Sequence, residues 1–245
     1  MDIPAYGARA KLGVIVPTTN TVNEAEWNLA APDGVSVHAA RMALHTDTTS
    51  AGGKAALHAD LDVALQSLKP AGVSVIAYGC TAGSMVAPRH ALAEFMTSVV
   101  NLPCVTTAAA IVDALDVLGA QRISVATPYD QRLNDHEVDF LTGQGLDVLA
   151  IDGLGYGAKG PSEYAMIHRV ARERILDLAR SVDRTEAQAL VISCTDFPTF
   201  ELIEELEIEL NKPVVTSNQA TFWTALRATG VNDALPNLGV LFRDH

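Results

Sequence analysis

The stretch Val73-Ser-Val-Ile-Ala-Tyr-Gly-Cys-Thr81 is a nearly continuous apolar run that ends in glycine, cysteine and threonine. A short apolar run of this kind predicts a strand buried on both faces, which is typical of parallel sheets. A second stretch, Ala189-Leu-Val-Ile-Ser-Cys-Thr195, has the same form. Each stretch therefore places a Cys-Thr pair directly after a buried strand, at the carboxyl end of that strand.

Two further segments recur in the same order along the chain. Leu12–Pro17 and Ile123–Pro128 are both apolar strands that end in proline, and Pro103–Thr107 and Pro213–Ser217 both lead into an alanine-containing helix. The members of each pair, like the two Cys-Thr pairs, lie about 110 residues apart. General α/β features explain each match separately but not the common spacing, so the sequence predicts a duplicated unit.

Strands alternate with helical patterns along the whole chain. This alternation predicts an α/β protein with two pseudo-symmetric Rossmann-like lobes, each a parallel sheet flanked by helices, and an active-site cleft between the lobes. We expect the N-terminal lobe to span residues 1–106 plus 218–245 and the C-terminal lobe to span residues 107–217. The predicted strands are Leu12–Val16, Val35–Arg41, Val73–Tyr78, Val105, Arg122–Ala126, Asp147–Ile151, Ala189–Ser193 and Val214–Val215. The predicted helices are Thr21–Ala31, Lys54–Leu68, Arg89–Val100, Ala108–Leu118, Leu133–Leu141, Glu163–Ser181, Phe200–Glu209 and Ala220–Ala228.

The composition limits the classes of function that fit the chain. Its 245 residues, 49% of them hydrophobic, can bury one large core or two small ones. A formal net charge of -12 disfavours nucleic acid and anionic membranes as partners. The sequence contains no run of about 18 apolar residues and no secretory-signal pattern at its start, so we expect a cytoplasmic protein with its three cysteines as thiols.

The two repeated cysteines are the predicted catalytic residues. A two-fold axis between the lobes brings Cys80 and Cys194 to opposite walls of one cleft, where one thiol can attack or remove a proton while the other delivers one. We expect free backbone N–H groups at the start of each following helix to lower the pKa of both thiols. Cys104 has no counterpart in the repeat and is expected to be an inert packing residue. This chemistry requires neither a metal nor an organic cofactor, and no metal-spaced His/Cys pair is present.

Polar groups near the two cysteines are the predicted binding residues for a small carboxylate substrate. Several of them have an alternative structural role, which stays open at this point. Asn20 is also a favourable helix cap, Tyr129 also a half-buried packing residue, and Asp196 also a cap for the helix near Phe200. The predicted substrate-binding residues are Thr18, Asn20, Thr81, Ala82, Tyr129, Thr195 and Asp196.

These motifs resemble a known group of enzymes over nearly the whole chain. Val16-Pro-Thr-Thr-Asn-Thr21, Tyr78-Gly-Cys-Thr81, Thr127-Pro-Tyr129 and Ser193-Cys-Thr195 are similar to the maleate cis-trans isomerase and arylmalonate decarboxylase branch of the aspartate/glutamate racemase superfamily. The resemblance implies that Cys80 attacks an alkene to form a covalent adduct and that Cys194 protonates the neighbouring carbon. It also implies carboxylate binding by Asn20 and Tyr129.

Two departures from that branch leave the substrate open. The isomerases carry a second ligand asparagine after the strand equivalent to Asp147–Ile151, whereas Gly153–Gly160 contains none. Within that segment, Gly155–Gly160 is expected to form a mobile loop over the cleft. The C-terminal part of the chain is more similar to the decarboxylases, but those enzymes have glycine at the position of Cys80. We therefore expect an isomerase, with a racemase of an amino-acid derivative or hydantoin-like compound, an arylmalonate-type decarboxylase or a two-lobed binding protein as alternatives. We also expect a homodimer or homotetramer.

Overall fold

A computed structural model describes residues 4–245 as two four-stranded parallel sheets. The first sheet has the order β2-β1-β3-β4 and the second has the equivalent order β6-β5-β7-β8. The predicted two-lobed α/β fold is confirmed, since two separate sheets with the same strand order are present instead of one continuous sheet. The strands are β1 Ala10–Pro17, β2 Val35–Met42, β3 Val75–Tyr78, β4 Cys104–Thr106, β5 Arg122–Tyr129, β6 Asp147–Tyr156, β7 Ala189–Ile192 and β8 Val214–Thr216.

Helices follow the strands and cover the sheets on both sides. They are α1 Asn23–Ala30, α2 Ala51–Leu68, α3 Thr81–Ser84, α4 Ala91–Val100, α5 Thr107–Leu118, α6 Gln131–Gly143, α7 Arg172–Val182, α8 Ile203–Leu210, α9 Ser217–Ala228 and α10 Gly239–Asp244. Short 3₁₀ segments occur at Lys69–Ala71, Pro161–Arg169, Phe200–Leu202 and Pro236–Leu238. No helix within residues 4–245 has the length and apolar character needed to cross a membrane.

One predicted helix is wrong. The segment Glu163–Ser181 forms two pieces, the 3₁₀ segment Pro161–Arg169 and helix α7, because Val170 between them takes an extended conformation. The apolar periodicity continues across this break, so the sequence pattern does not reveal it. The single turn α3 after Cys80 was not predicted, since four residues are too few to show a helical period.

The central strands are buried on both faces, which explains their continuous apolar sequences. In β1, Leu12, Val14 and Val16 belong to a core shared by the two lobes, whereas Ile15 points to the opposite face and packs in a smaller cluster with α2 and α4 residues. Strand β1 pairs in parallel with β2 and β3. This arrangement places the carboxyl ends of all four strands at one edge of the sheet.

Helices α5 and α9 connect the two lobes. They pack against each other, and α9 also contacts β1, β3 and β4 of the first sheet, as expected for a C-terminal helix that returns to the first lobe. Helix α10 contacts α8 and β8 of the second sheet. The lobe boundaries given above stay a prediction, and residues 1–3 of the first lobe lie outside the described residues.

An aromatic cluster lies at this junction. The ring of Phe222 on α9 is 5.2 Å from Trp27 on α1 and 5.8 Å from Phe242 on α10, measured between centroids. All three side chains are fully buried. The cluster therefore ties three helices together in the core that both lobes share.

The Phe222→Ala substitution tests the importance of this junction. We expect it to lower the free energy of unfolding by about 3–5 kcal/mol, because it leaves a cavity between two aromatic rings. The matched control is Tyr6→Ala, which removes an aromatic ring that is 83% exposed and should change stability little. Urea denaturation followed by circular dichroism measures both variants, and equal stability of the two would contradict a core that spans the lobes.

Candidate active site

A cavity of about 230 Å³ lies between the lobes, at the carboxyl ends of the strands of both sheets. Cys80 and Cys194 both line it, as predicted, together with six of the seven predicted binding residues. Those six are Asn20, Thr81, Ala82, Tyr129, Thr195 and Asp196. Thr18 is the exception, since it is exposed and its neighbour Thr19 lines the cavity instead.

Cys80 follows β3 in an extended conformation and precedes the single turn α3. Its Sγ accepts a hydrogen bond from the backbone N–H of Gly83 at 3.4 Å. A side chain at position 83 would collide with the Tyr78 hydroxyl and come within 3.0 Å of Cys80 Sγ, so only glycine fits there. The sulfur is thus enclosed by a backbone N–H and a phenol.

Cys194 has a different backbone geometry from Cys80. Its φ of 105° lies in a region that side chains other than glycine rarely adopt, and the strain is held by a hydrogen bond of 2.8 Å from its N–H to Ser217 Oγ. Its Sγ accepts a hydrogen bond from the N–H of Asp196 at 3.4 Å, and the Tyr129 hydroxyl lies close to it and favours its thiolate. This turn directs the thiol into the cavity.

The expectation of lowered thiol pKa values is wrong. Burial raises the pKa of Cys80, although the Gly83 N–H and the Tyr78 hydroxyl act in the opposite direction. Burial also raises the pKa of Cys194, and the nearby carboxylate of Asp196 adds to that effect. The physical reason is that the enclosed sulfurs lose more solvation than one N–H and one phenol each can replace.

Hydrogen bonds join the two cysteine segments across the lobe interface. The Thr195 hydroxyl donates to the carbonyl of Gly79 at 3.0 Å and accepts from Asn20 Nδ2 at 3.0 Å. The Thr81 and Ser217 hydroxyls lie 2.8 Å apart. Each Cys-Thr pair is therefore fixed by a residue of the opposite lobe or of helix α9.

Asn20 combines the two roles that the sequence left open. Its Oδ1 accepts hydrogen bonds from the N–H groups of Val22 and Asn23, both at 3.0 Å, and so caps the start of α1. One hydrogen of Nδ2 goes to Thr195, which leaves the second hydrogen for an oxygen in the cavity. The cap thus orients the amide as a donor.

Asp196 does not cap the helix near Phe200. Its Oδ1 accepts from the N–H of Thr21 in the first lobe at 2.9 Å, and Glu26 accepts from the N–H of Phe200 at 2.8 Å instead. The other oxygen, Oδ2, is buried without a hydrogen bond, 3.8 Å from Nδ1 of His168. Burial raises the pKa of Asp196 to about 6.

The rest of the cavity wall was not identified from the sequence. Helix α6 contributes Arg132, Leu133 and His136, and the 3₁₀ segment contributes Tyr164 and Ile167. The spacing of the three α6 residues places them on one helical face directly after Tyr129, a signal that could have been used. The first lobe adds residues 44–49 of the loop after β2, except Asp47.

The segment predicted as a mobile loop contains a turn that the Glu163 side chain holds by hydrogen bonds. Strand β6 extends to Tyr156, and the N–H groups of Gly157 and Lys159 both donate to the Glu163 carboxylate at 3.0 Å. The adjacent Tyr164 reaches the cavity.

Cys104 lies outside the cavity, on β4. It is half-buried, and burial raises its pKa to about 11. No group of three or more possible metal ligands occurs in the part of the chain that the structure describes.

The fold is that of a two-lobed α/β enzyme with two thiols in one cavity, and comparisons with known proteins identify its family. The arylmalonate decarboxylase family model matches residues 12–242. The chain is 30% identical to maleate isomerase of Nocardia farcinica (strain IFM 10152) over 246 residues, covering 95% of both chains. It is 29% identical to arylmalonate decarboxylase of Bordetella bronchiseptica over 237 residues, covering 94% of this chain and 95% of the other.

The structural comparison also finds a maleate isomerase. The cysteine-to-serine variant of Nocardia farcinica maleate cis-trans isomerase, with a covalently bound succinylcysteine intermediate, matches with a TM-score of 0.86 at 26% identity. The match covers 96% of this chain and 99% of the other. The chain belongs to the arylmalonate decarboxylase family, and its relatives include proteins named maleate isomerase.

Glu137 of α6 is a buried carboxyl next to His136 in the chain, and its titration can be tested. Burial raises the pKa of its carboxyl from 4.5 to about 7, so the folded state holds this proton more strongly than the unfolded chain. Its contribution to stability is complete below pH 4.5 and is lost as the pH rises through 7. Glu137→Gln should therefore be more stable than the wild type at pH 8, by up to about 3 kcal/mol, and nearly equal to it at pH 4.5.

The measurement is urea denaturation between pH 4.5 and 8. Glu204→Gln, at an exposed position of α8, is the matched control and should follow the wild-type profile. A Glu137→Gln profile parallel to the wild type would contradict the buried-carboxyl account.

Proposed function

We propose that the protein is a cofactor-independent cis-trans isomerase of a small dicarboxylate, of the maleate isomerase type. The observation that carries this proposal is the meeting of two thiols, one from each lobe, in a single cavity between paired donors. The relatives named maleate isomerase support it, as does the succinylcysteine adduct in the related Nocardia enzyme.

In the proposed mechanism, Cys80 is the nucleophile. Its thiolate gives an electron pair to one alkene carbon, the π electrons move to the neighbouring carbon, and that carbon takes the proton of the Cys194 thiol. The former double bond is now a single bond and rotates. The Cys194 thiolate then removes the proton, the C–S bond breaks, and the trans alkene leaves with the Cys80 thiolate restored. No oxidant or reductant is consumed.

The surroundings of each thiol suit these roles. Cys194, whose pKa burial raises, stays protonated and can act as the acid. Burial raises the pKa of Cys80, and the Gly83 N–H and the Tyr78 hydroxyl are the two groups that favour its thiolate against that effect. The free hydrogen of Asn20 Nδ2, the backbone N–H groups of Thr81 and Ala82 and the Tyr129 hydroxyl are the proposed donors to the substrate carboxylate and to the enolate-like charge that develops on it.

The remaining expectations are also proposals. We propose a small carboxylate as the binding partner and a homodimer or homotetramer as the assembled form, since two-lobed α/β enzymes commonly pair symmetrically. We propose the cytoplasm as the location, because all three cysteines are free thiols.

The Cys80→Ser and Cys194→Ser variants test the proposed mechanism. Each should lose nearly all conversion of maleate to fumarate, measured by NMR, because a hydroxyl is a far weaker nucleophile and acid near neutral pH. Cys194→Ser should accumulate a protein-substrate adduct on Cys80, seen by intact mass, whereas Cys80→Ser should form none.

Cys104→Ser is the matched control and should keep wild-type turnover. Full activity in Cys80→Ser would overturn the paired-thiol mechanism in favour of a single-cysteine, decarboxylase-like site on Cys194. Exchange of an α-proton of a chiral acid without any alkene chemistry would indicate a racemase.

A further inference from the structure

Arg132 lines the cavity from an exposed position on α6. Among the cavity-lining residues that the structure describes, it is the only arginine or lysine. No carboxylate of residues 4–245 lies within salt-bridge distance of it, whereas Arg41, near the cleft, is paired with Glu24 at 2.9 Å. In a chain with a net charge of -12, an arginine left without an acidic partner beside a cavity indicates a site for an anion.

The backbone holds Arg132 close to the reacting groups. Asp130 caps α6 by accepting from the N–H of Leu133 at 3.0 Å, and its own N–H donates to the carbonyl of Tyr156 at 3.0 Å. This cap fixes the first turn of the helix only three residues after Tyr129, whose hydroxyl contacts Cys194.

Two further polar groups converge on the same place. The Tyr164 hydroxyl lies beside the Arg132 guanidinium, which opposes the burial that raises the Tyr164 pKa. Tyr164 directly follows Glu163, whose carboxylate holds the turn at Gly157 and Lys159. A Cβ on Gly157 would lie 2.6 Å from the Tyr164 hydroxyl, so that ring packs directly on the glycine backbone. One helical turn beyond Arg132, His136 Nε2 is buried without a hydrogen-bond partner in the described structure.

This cluster lies on the second-lobe wall, away from the first-lobe donors at Asn20 and Thr81. We propose that Arg132, with Tyr164 and His136, binds the distal carboxylate of the substrate and so restricts the enzyme to dianionic cis-alkenes. This inference rests on the proposed function, since it assigns a binding residue to the second carboxylate of the same substrate. It makes Arg132 the residue that separates a dicarboxylate, which is a dianion, from its half-amide, which is a monoanion with a neutral amide at the distal end.

The kinetic test compares maleate with maleamate, its half-amide, in the wild type, Arg132→Gln and Arg132→Lys. We expect Arg132→Gln to raise KM for maleate about 10- to 100-fold, the effect of one charge-assisted hydrogen bond, with little change in kcat. It should also abolish the preference for maleate over maleamate, and Arg132→Lys should restore part of it. Arg174→Ala, on α7 and outside the cavity, is the matched control. An unchanged KM and preference in Arg132→Gln would overturn the inference.

A binding test separates this inference from the proposed function. Succinate and succinamate have no alkene, and calorimetry measures their affinities for the wild type and Arg132→Gln without turnover. The wild type should bind succinate at least about 10-fold more tightly than the variant does. Equal affinities, or no succinate binding by the wild type, would overturn the role of Arg132 even if maleate is isomerised. A loss of succinate affinity in an enzyme that fails to isomerise maleate would support Arg132 and reject the isomerase.

Discussion

The buried carboxylate of Glu26 holds the two lobes in register, and the cavity depends on that register. Glu26 lies on α1 of the first lobe, and its Oε1 accepts from the N–H groups of Thr199 and Phe200 in the second lobe at 2.5 and 2.8 Å. Its Oε2 accepts from Asn218 Nδ2 at 2.6 Å, and the same nitrogen donates to the carbonyl of Thr195 at 3.0 Å. Burial raises the pKa of Glu26 to about 7. Because the segment after Cys194 is tied to α1 in this way, a shift of either lobe would leave a buried carboxyl group without its hydrogen-bond donors, which is costly.

The duplicated unit gives two equivalent positions for sulfur but two different environments. Cys80 is extended and lies against Tyr78 and Gly83, whereas Cys194 adopts a positive φ and lies beside a carboxylate. Duplication alone would produce two interchangeable thiols, which suits a racemase that trades one proton. The asymmetry instead favours a division of roles, with the thiol nearest Asp196 kept protonated. The duplicated fold thus determines the positions of the two thiols, whereas the neighbouring residues determine the chemical role of each thiol.

The strands and the thiol pair could be predicted because both follow from short-range patterns. Burial on both faces forces continuous apolar runs, and a parallel sheet presents its strand ends at one edge. The break at Val170 could not be predicted, since the apolar period continues through it. The wall formed by Arg132 and Tyr164 was missed because their meeting depends on how a turn folds against a helix in three dimensions. The thiol pKa values were misjudged for a similar reason, since the sequence shows neighbouring donors but not the extent of burial.

Charge balance links the thiols to the second-lobe wall. In the proposed reaction a thiolate and a dianion occupy one enclosed cavity that also contains Asp196, and burial already disfavours each negative charge. Neutral donors such as Asn20 and Tyr129 reduce this penalty but carry no opposing charge. The Arg132 guanidinium does carry one. Since no carboxylate of residues 4–245 lies within salt-bridge distance of it, it gives up no ion pair there by facing the cavity. On this reasoning Arg132 both selects a dianion and makes its presence compatible with a nearby thiolate, so its replacement should weaken dianion binding more than the loss of one hydrogen bond between neutral groups would.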